Sequence, residues 1–473
     1  MIIRIARKEF TEMLRDGRYT WASIIVLVLL FISLVMGWKH YREVNTQHRL
    51  AQAETRQQWL RQPAKNPHSA AHYGAYAFKP KLLTAFLDRG VDNYTGVAVW
   101  LEAHKQNDFK YRPAQDATAV QRFGELTAAT VMQLLIPLLI ILFSFGAFVV
   151  EREQGTFRQL LSIGVMKTDL ALGKVLGISG ALGLLLIPAT IIGVVALTLT
   201  SENGSFAASL PRLALMALSY LLYVGIFVSL SLTVSAKAPS SRLALVILLG
   251  FWIANGLIAP RIMADLARRV YPTPSAFEFA QSIEHDLKNG TDGHNPADKR
   301  AEELKQYVMK QYNVTKIEDL PVSFAGISLQ QGEEDGYIVY DKHYGALWSL
   351  FEQQNKLKQL VAVTAPMLAI NSISMGLAGT DFAQHRDFAE KAENYRRMFI
   401  KMMNEDMIVH AVKEDFSYQA SPALWQTVPD FKYNAPGVGW VLRNHIVGVI
   451  MLMLWFIAAT VALLVAIKKI RVD

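Results

Sequence analysis

Histidine pairs at helical spacing are the residues in this chain whose type and spacing could bind a metal ion. His68 and His72 are four residues apart, and so are Asp381 and His385, so each pair would share one face of a helix. A metal centre takes three or four protein ligands, and two ligands do not make a site. We therefore expect solvated or hydrogen-bonded histidines and no metal site, with a metal role as the alternative.

Nucleotide binding would require a loop in which glycines let backbone amides approach phosphates and a Lys precedes Ser or Thr. The nearest fragment, Gly173-Lys174-Val175, lacks the hydroxyl residue and the upstream glycine. The chain has no cysteine, which excludes thiol nucleophiles and Cys-ligated zinc, and no Gly-x-Ser-x-Gly elbow follows a strand pattern. We expect a chain that is not an enzyme, hydrolyses no ATP and holds no cofactor of its own.

A charged connector between two apolar runs, residues 151–175, is the most specific feature of the sequence. Its segment 156–163, TFRQLLSI, is typical of a short amphipathic helix. Such a helix can dock in a groove of a partner protein, where apolar side chains supply affinity and charges supply orientation. A simple turn is the alternative, but the connector is longer than a turn requires.

Two uncharged amides, Gln133 and Asn255, lie inside apolar runs. Polar groups within a membrane face a helix bundle or a substrate pathway. Both interpretations stay open, and hydrogen bonding between helices is favoured because amides carry no charge. No Asp, Glu, Lys or Arg lies deep within any apolar run, which disfavours a proton or ion relay.

Six apolar runs must position these residues, because each is close to the roughly 20 residues that cross about 30 Å of hydrocarbon as a helix. Their backbone groups would find no water in a bilayer, so helix is the expected state. The chain is 52% hydrophobic and 19% charged, which also favours an all-α membrane protein with six transmembrane helices. The runs are residues 21–38, 128–150, 176–199, 213–234, 243–260 and 446–467.

Basic residues flank the first and last runs, which places both termini in the cytoplasm by the positive-inside rule. The net charge of +8 is therefore in part a topology signal, and we expect lipid contacts and no nucleic acid partner. Residues 1–20 would form an amphipathic helix on the cytoplasmic membrane surface, and residues 468–473 a cytoplasmic tail. Two insertions, 39–127 and 261–445, would then build a mainly helical periplasmic domain.

The connector sequence EREQGTFRQLLSIGVMKTDLALGKVLG resembles the signature between the second and third spans of ABC-2 type permeases. In that signature Glu-x-Gly-Thr begins a coupling helix and Gly-Lys opens the next span. Four further stretches resemble the permease subgroup with a DUF3526 insert. They are APRIMADLARRVYPTPSAFEF, HNPADKRAEELKQY, EDLPVSFAGISLQQGEE and LAGTDFAQHRDFAEKAENYRRMFIKMMNE.

The resemblance implies the six-span fold of type V exporters, a dimer, and two copies of a separately encoded ATPase that carries ATP and Mg²⁺. A pair of sister permeases would form a heterodimer, so homodimer and heterodimer both remain. Lys174 would lie at the mouth of the third span. The residues implied to contact the ATPase are Glu151, Glu153, Gly155, Thr156, Phe157, Leu160 and Leu161.

The expected function is that of an ABC exporter permease in the bacterial inner membrane, which couples ATP hydrolysis by its partner to export of a substrate. The alternative is a subunit that passes conformational changes of the ATPase to a periplasmic or outer-membrane partner without transport. The size of the second insertion, residues 261–445, motivates this alternative, because a channel wall needs far less chain.

Overall fold

Six long apolar helices dominate the computed structural model, which describes residues 1–116, 126–200, 205–291, 295–412 and 415–470. All six are long and apolar enough to cross a membrane, and they overlap the six predicted runs. The prediction of a six-helix, all-α membrane protein is confirmed at this level. In chain order, spans 1 to 6 are Gly17–Leu60, Ala128–Glu153, Lys167–Leu199, Phe206–Lys237, Ser241–Val270 and Ile446–Lys468.

The spans run past their predicted ends because the flanking polar residues continue the helical hydrogen bonding. Span 1 has 44 residues, about 66 Å of helix at 1.5 Å per residue, so roughly half of it extends beyond the hydrocarbon thickness. Residues 201–204 of the predicted outer loop and residues 471–473 of the predicted tail lie outside the described residues.

Spans 2 and 5 are the irregular ones, and each contains one π-helical turn. Span 2 comprises Ala128–Thr130, the π turn Val131–Leu135, Ile136–Ser144 and Val149–Glu153. Span 5 comprises Ser241–Ile253, the π turn Ala254–Ile258 and Ala259–Val270. Such turns occur often at functional positions of helices.

Further helices connect the spans and build the insertions. Those before span 4 are Ile2–Arg15, Pro67–Tyr73, Leu83–Phe86, Asp92–Thr95, Pro113–Asp116 and Thr156–Ser162. Those after span 5 are Ala276–Asn289, Ala297–Gln311, Ile317–Asp319, Phe324–Val361, Pro366–Ala378, Phe382–His410, Asp415–Ser417, Ala423–Thr427 and Val438–Asn444.

A small antiparallel sheet in the first insertion is absent from our prediction of a mainly helical domain. Its strands β1 (Ala75–Phe78), β2 (Ala98–Glu102) and β3 (Lys105–Gln106) lie in the order β1-β2-β3, and Tyr76 lies opposite Trp100. Strands this short carry almost no alternation pattern, and their pairing is set by contacts between segments distant in the chain.

Both insertions fold into one unit, which we call the insertion domain. Trp59 and Trp425 join its two parts, since Trp59 Nε1 donates to the Trp425 carbonyl at 2.9 Å and Trp425 Nε1 donates to the Gln62 carbonyl at 3.1 Å. Both rings are almost fully buried. The insertion domain therefore has an apolar core of its own, built from residues on either side of spans 2 to 5.

The N-terminal helix Ile2–Arg15 packs against the start of span 3, where we expected a helix on the membrane surface. Two glycines permit the contact. A Cβ at Gly173 would lie 2.5 Å from Ile5 Cγ2, and a Cβ at Gly177 would lie 2.6 Å from Glu9 Cβ. Small residues allow two helices this close, so the N-terminal helix belongs to the connector end of the bundle.

We predict opposite effects for alanine at two glycines of span 3. Gly177→Ala should destabilise the fold by about 1–3 kcal/mol through overpacking, because its Cβ would meet Glu9 Cβ at 2.6 Å and the Ala6 carbonyl at 2.9 Å. Gly183→Ala is the matched control, since its Cβ would meet only Ile187 Cδ1, at 3.8 Å, and alanine favours helix by about 1 kcal/mol. Thermal unfolding in detergent and trypsin cleavage after Arg15 measure both effects. Equal behaviour of the two variants would contradict the docked N-terminal helix.

Candidate functional site

The connector between spans 2 and 3 contains a short helix that glycines begin and end. Gly155 has φ 75°, and the helix Thr156–Ser162 follows it. Gly164 has φ 86°. Positive φ values of this size suit glycine, which has no Cβ to clash with the backbone. The short helix predicted for this segment is thus present, and its Thr156 Oγ1 donates to the Glu151 carbonyl at 3.2 Å.

The apolar side of this helix faces its own chain. Phe157 is only 1% exposed and packs edge-to-face on Phe148, with ring centroids 6.5 Å apart. Leu160 and Leu161 are half-buried against the bundle core. The implied contact of Phe157 with an ATPase is therefore not available in this structure, because the bundle covers the ring.

The opposite side of the helix is exposed together with the turn that follows it. Ile163 is 74% exposed and Met166 is 62% exposed, and polar residues surround them. We call this patch the connector surface. It consists of Gln154, Gly155, Arg158, Gln159, Ser162, Ile163, Gly164 and Met166.

Lys174 is fully buried and holds the connector to the N-terminal helix. Its Nζ lies 2.7 Å from Glu9 Oε1 and 2.9 Å from Glu151 Oε1, and it lies over the Phe148 ring at 5.4 Å from the centroid. We call Glu9, Glu151 and Lys174 the lysine clasp. Glu151 was expected to contact the ATPase and Lys174 to lie at the mouth of the third span, and the structure pairs the two with each other.

Arg152 and Glu153 attach the same connector to the turn between spans 4 and 5. Arg152 donates to the carbonyls of Ser235 and Ala238. Glu153 Oε1 accepts from the Ser241 amide at 2.8 Å. Together with the lysine clasp, these bonds join the connector to spans 3, 4 and 5 and to the N-terminal helix.

Gln133 and Asn255 lie on the two π turns and hydrogen-bond across the bundle. Gln133 Nε2 donates to Tyr220 Oη at 3.0 Å, and the Gln133 carbonyl accepts from Tyr223 Oη at 3.0 Å. Asn255 Nδ2 lies 3.4 Å from Tyr223 Oη. Both amides are 3% exposed, so in this structure they serve hydrogen bonding between helices.

The network continues into the insertion domain through the helix Pro366–Ala378. Tyr220 Oη lies 2.9 Å from Ser374 Oγ, which donates to Asp88 Oδ2 at 2.5 Å. Asn371 Nδ2 lies 3.5 Å from Gln133 Oε1, and Asn371 Oδ1 accepts from Lys358 Nζ at 2.7 Å. Burial raises the pKa of Asp88 and lowers the pKa of Lys358 to about 8, since it penalises the charged form of each group.

The helix Pro366–Ala378, which we call the clamped helix, is almost entirely buried. At its start, the Met367 amide donates to Asn255 Oδ1 of span 5 at 2.9 Å. At its end, Arg212 Nη1 of span 4 donates to the carbonyls of Gly376 and Leu377 at 3.2 and 3.3 Å. Helix ends leave amides and carbonyls without partners in the helix, and here two spans supply those partners.

The start of span 6 is bound to the same region. His445 Nε2 lies 2.8 Å from Asp381 Oδ2, and His445 Nδ1 lies 2.9 Å from Ser372 Oγ. Asp381 and His385, which the sequence places four residues apart, have different partners, because Asp381 bonds to His445 and His385 packs its ring on Phe109 at 4.5 Å between centroids. His68 and His72 do meet, and the structure adds His104 to them.

The clamped helix and the role of Arg212 are absent from the predictions made from the sequence. A signal for the helix is present, because Pro366 stands at its first position and Gly379 follows its end with φ 79°, the usual pattern of helix boundaries. An apolar run of this length typically forms a buried core helix. Arg212 precedes the predicted span and is charged, so its role at a distant helix end has no local signal.

We predict that Lys174→Met destabilises the protein far more than Lys8→Met. Both lysines lie near Glu151 Oε1, at 2.9 and 3.6 Å, but their side chains are 1% and 48% exposed. Loss of Lys174 leaves Glu9 and Glu151 with only the half-exposed Lys8 beside them, at 3.7 and 3.6 Å. Breaking a buried ion pair costs about 3–5 kcal/mol, whereas an exposed pair contributes at most about 1 kcal/mol. Denaturant unfolding in detergent measures the difference, and Lys174→Met combined with Glu9→Gln and Glu151→Gln should recover most of the loss. Equal losses for the two lysines would contradict the clasp.

One family model matches part of the chain. It is described as a domain of unknown function, DUF3526, and it matches residues 276–434. The match confirms the DUF3526 part of the resemblance, and its range contains the clamped helix. No curated protein matches the chain. The second insertion of this helical, multi-span protein is therefore similar to the DUF3526 family.

Proposed function

We propose that this chain is the membrane permease subunit of an ABC-2 type transporter, in which a separate ATPase drives export of a substrate. The observation that carries the proposal is the connector surface, an exposed patch on a short helix that is firmly bound to the spans. A docking helix transmits force only if it moves together with the spans. The lysine clasp and the Arg152 bonds provide that attachment.

The exposure of the connector residues supports a narrower set for the proposed ATPase contact. Ile163 and Met166 supply exposed apolar area, and Arg158 and Gln159 supply polar groups around it. Apolar centres with polar surroundings are typical of protein interfaces. Glu153, Gly155 and Thr156 would lie at the border of this contact, while Phe157, Leu160, Leu161 and Lys174 would hold the helix in place.

The proposed location is the bacterial inner membrane, with the connector surface in the cytoplasm and the insertion domain in the periplasm. The two termini support this orientation, because basic residues precede span 1 and follow span 6. Lys167 Nζ donates to the Ile470 carbonyl at 2.9 Å, which puts the C-terminal end beside the connector. Two ATPase copies would bind ATP and Mg²⁺, one copy beneath each permease of a dimer.

Lipid and a second permease would cover the outer faces of the spans. Large apolar side chains on several spans are exposed in the single chain, which in a membrane protein indicates contact with lipid or with another subunit. Examples are Ile25, Ile32, Ile187, Leu221, Val246 and Ile457. A homodimer or a heterodimer with a sister permease would use part of this surface.

A second candidate function is transmission of ATPase conformational changes to a periplasmic or outer-membrane partner without transport. The clamped helix favours it, because spans 4 and 5 bind the two ends of an element of the insertion domain through Arg212 and Asn255. A movement of these spans would therefore displace the insertion domain directly. Both functions share the same ATPase contact and differ in what happens at the far end.

Ile163→Asp should abolish retention of the ATPase, because a charge would replace the most exposed apolar group of the connector surface. The permease is extracted in mild detergent after co-expression with its neighbouring genes, and the ATPase that co-purifies is quantified. Phe277→Asp is the matched control, since Phe277 is 75% exposed on the insertion domain and Ile163 is 74% exposed. The control should retain the ATPase fully. A wild-type chain that never retains an ATPase would contradict the proposed function.

Asn255→Leu should loosen the clamped helix while ATPase retention stays normal. The Met367 amide would lose its partner, and a buried unsatisfied group of this kind costs about 1–3 kcal/mol. Hydrogen exchange of residues 366–380 should therefore accelerate. Thr460→Val is the control, because Thr460 Oγ1 donates only within span 6, to the Phe456 carbonyl at 2.8 Å.

The same variant separates the two candidate functions. Substrate efflux that persists in Asn255→Leu, with faster exchange in the clamped helix, argues against transmission through that helix. The opposite result has two parts. The wild type shows no efflux, and Asn255→Leu keeps its ATPase activity but loses the ATP-dependent change in the conformation of the insertion domain. That result argues against export.

A further inference from the structure

Three histidines of the first insertion converge on one point at the surface of the insertion domain. His72 Nε2 lies 3.1 Å from His68 Nε2, and His104 Nε2 lies 3.2 Å from His68 Nε2. All three ligand nitrogens lie within 4.8 Å of one another. Tetrahedral zinc with Zn–N bonds of roughly 2.0–2.1 Å places its ligand nitrogens about 3.3 Å apart, so two of the three separations already match.

Two neighbouring elements hold these side chains together. His68 and His72 lie one turn apart on the helix Pro67–Tyr73, whose first amides are capped by Asn66. His104 lies at the turn between β2 and β3, and the Ala103 amide of that turn donates to the Ala71 carbonyl at 3.3 Å. The hairpin turn is thus bonded directly to the helix that carries the other two histidines.

Glu333 of the second insertion orients His104. Its Oε1 accepts from the His104 backbone amide at 2.5 Å and lies 2.8 Å from His104 Nδ1. His104 has φ 63°, a conformation that is uncommon for residues other than glycine and persists where surrounding contacts enforce it. The carboxylate keeps the proton on Nδ1, which leaves the Nε2 lone pair directed at the other two rings.

Hydrogen bonds among neutral imidazoles cannot satisfy this arrangement. His68 Nε2 makes both short contacts, yet a ring nitrogen carries either one proton or one lone pair. If it donates to His104, it has no lone pair for His72, and if it accepts from His72, it has no proton for His104. A cation between the rings satisfies all three lone pairs.

We propose that His68, His72 and His104 bind a late first-row transition-metal cation of the zinc and copper class, with a fourth position open to water or a further ligand. Three imidazoles suit zinc, copper and nickel, whereas Mg²⁺ and Ca²⁺ prefer oxygen ligands. Metal-bound histidines usually donate their other ring nitrogen to a carboxylate or carbonyl, and Glu333 takes this role for His104. His72 and His104 are exposed, so a cation can enter from solvent.

Metal binding would join the two halves of the insertion domain. Glu333 lies on the helix Phe324–Val361 and is 1% exposed, and Arg396 Nη1 lies 3.3 Å from its Oε2. Arg396 in turn donates to the Glu102 carbonyl of β2 at 3.0 Å. His104 contacts Glu333, Glu333 contacts Arg396, and Arg396 donates back to Glu102 of the first insertion. A cation that fixes His104 would strengthen this set of contacts. The proposal stands independently of any ATPase partner.

Zn²⁺ uptake by the full chain tests the site. The protein is purified in detergent through a tag without histidine, treated with chelator, and titrated with Zn²⁺ against a chromophoric competitor. One Zn²⁺ per chain is expected. His72→Ala should weaken this binding by more than the roughly 10–100-fold that loss of an outer-shell partner causes, because it removes a ligand outright.

A second ligand variant and a control variant complete the test. His104→Asn removes the imidazole but suits the left-handed backbone, so it should fold normally and lose the same binding. His410→Ala is the control, because His410 is also exposed but pairs with Asp406 at 3.0 Å, and it should bind as the wild type does. The melting temperature in chelator, equal among all four proteins, verifies folding.

Co²⁺ in place of Zn²⁺ reports the geometry. The intense visible absorption of four-coordinate Co²⁺ in the wild type, lost in His72→Ala, supports the three-histidine site. Zn²⁺ binding that is unchanged in both His72→Ala and His104→Asn, or a wild-type chain that takes up no Zn²⁺ in the micromolar range, overturns the proposal.

Discussion

The capping of one buried helix by two membrane spans is the interaction that unites this structure. The clamped helix Pro366–Ala378 lies among apolar side chains, where free backbone amides and carbonyls have no water to bind. Asn255 supplies an acceptor at its start and Arg212 supplies donors at its end. The insertion domain is therefore attached to the spans by hydrogen bonds in an apolar environment, where they are hard to replace.

The opposite end of the bundle is organised by charge. Lys174 pairs with two carboxylates from different elements and thereby fixes the N-terminal helix, the end of span 2 and the start of span 3 relative to one another. A buried lysine with good partners at both sides gives one preferred arrangement, because a shifted helix would leave a charge unpaired. The connector surface and the insertion domain are therefore both bonded to the spans that lie between them.

The sequence showed which polar residues lie inside the bundle, but it did not show which groups they hydrogen-bond to. Gln133 and Asn255 stood out because amides are rare in apolar runs, and two interpretations were possible. Both residues lie on π turns. There Gln133 bonds to Tyr220, and Asn255 bonds to Tyr223 and to the first turn of the clamped helix. The neighbours that decide between a pathway and a structural bond come from residues more than 80 positions away in most cases.

By itself, the sequence determined the number and approximate position of the spans, the short helix of the connector and the helical character of the second insertion. These features follow from local composition and period, since a run of about 20 apolar residues has one stable state in a bilayer. Only the tertiary structure decided that Phe157 and Lys174 face inward, that three short strands pair, and that His104 joins His68 and His72. Each of these depends on contacts between distant segments, and such contacts leave no periodic mark in the chain.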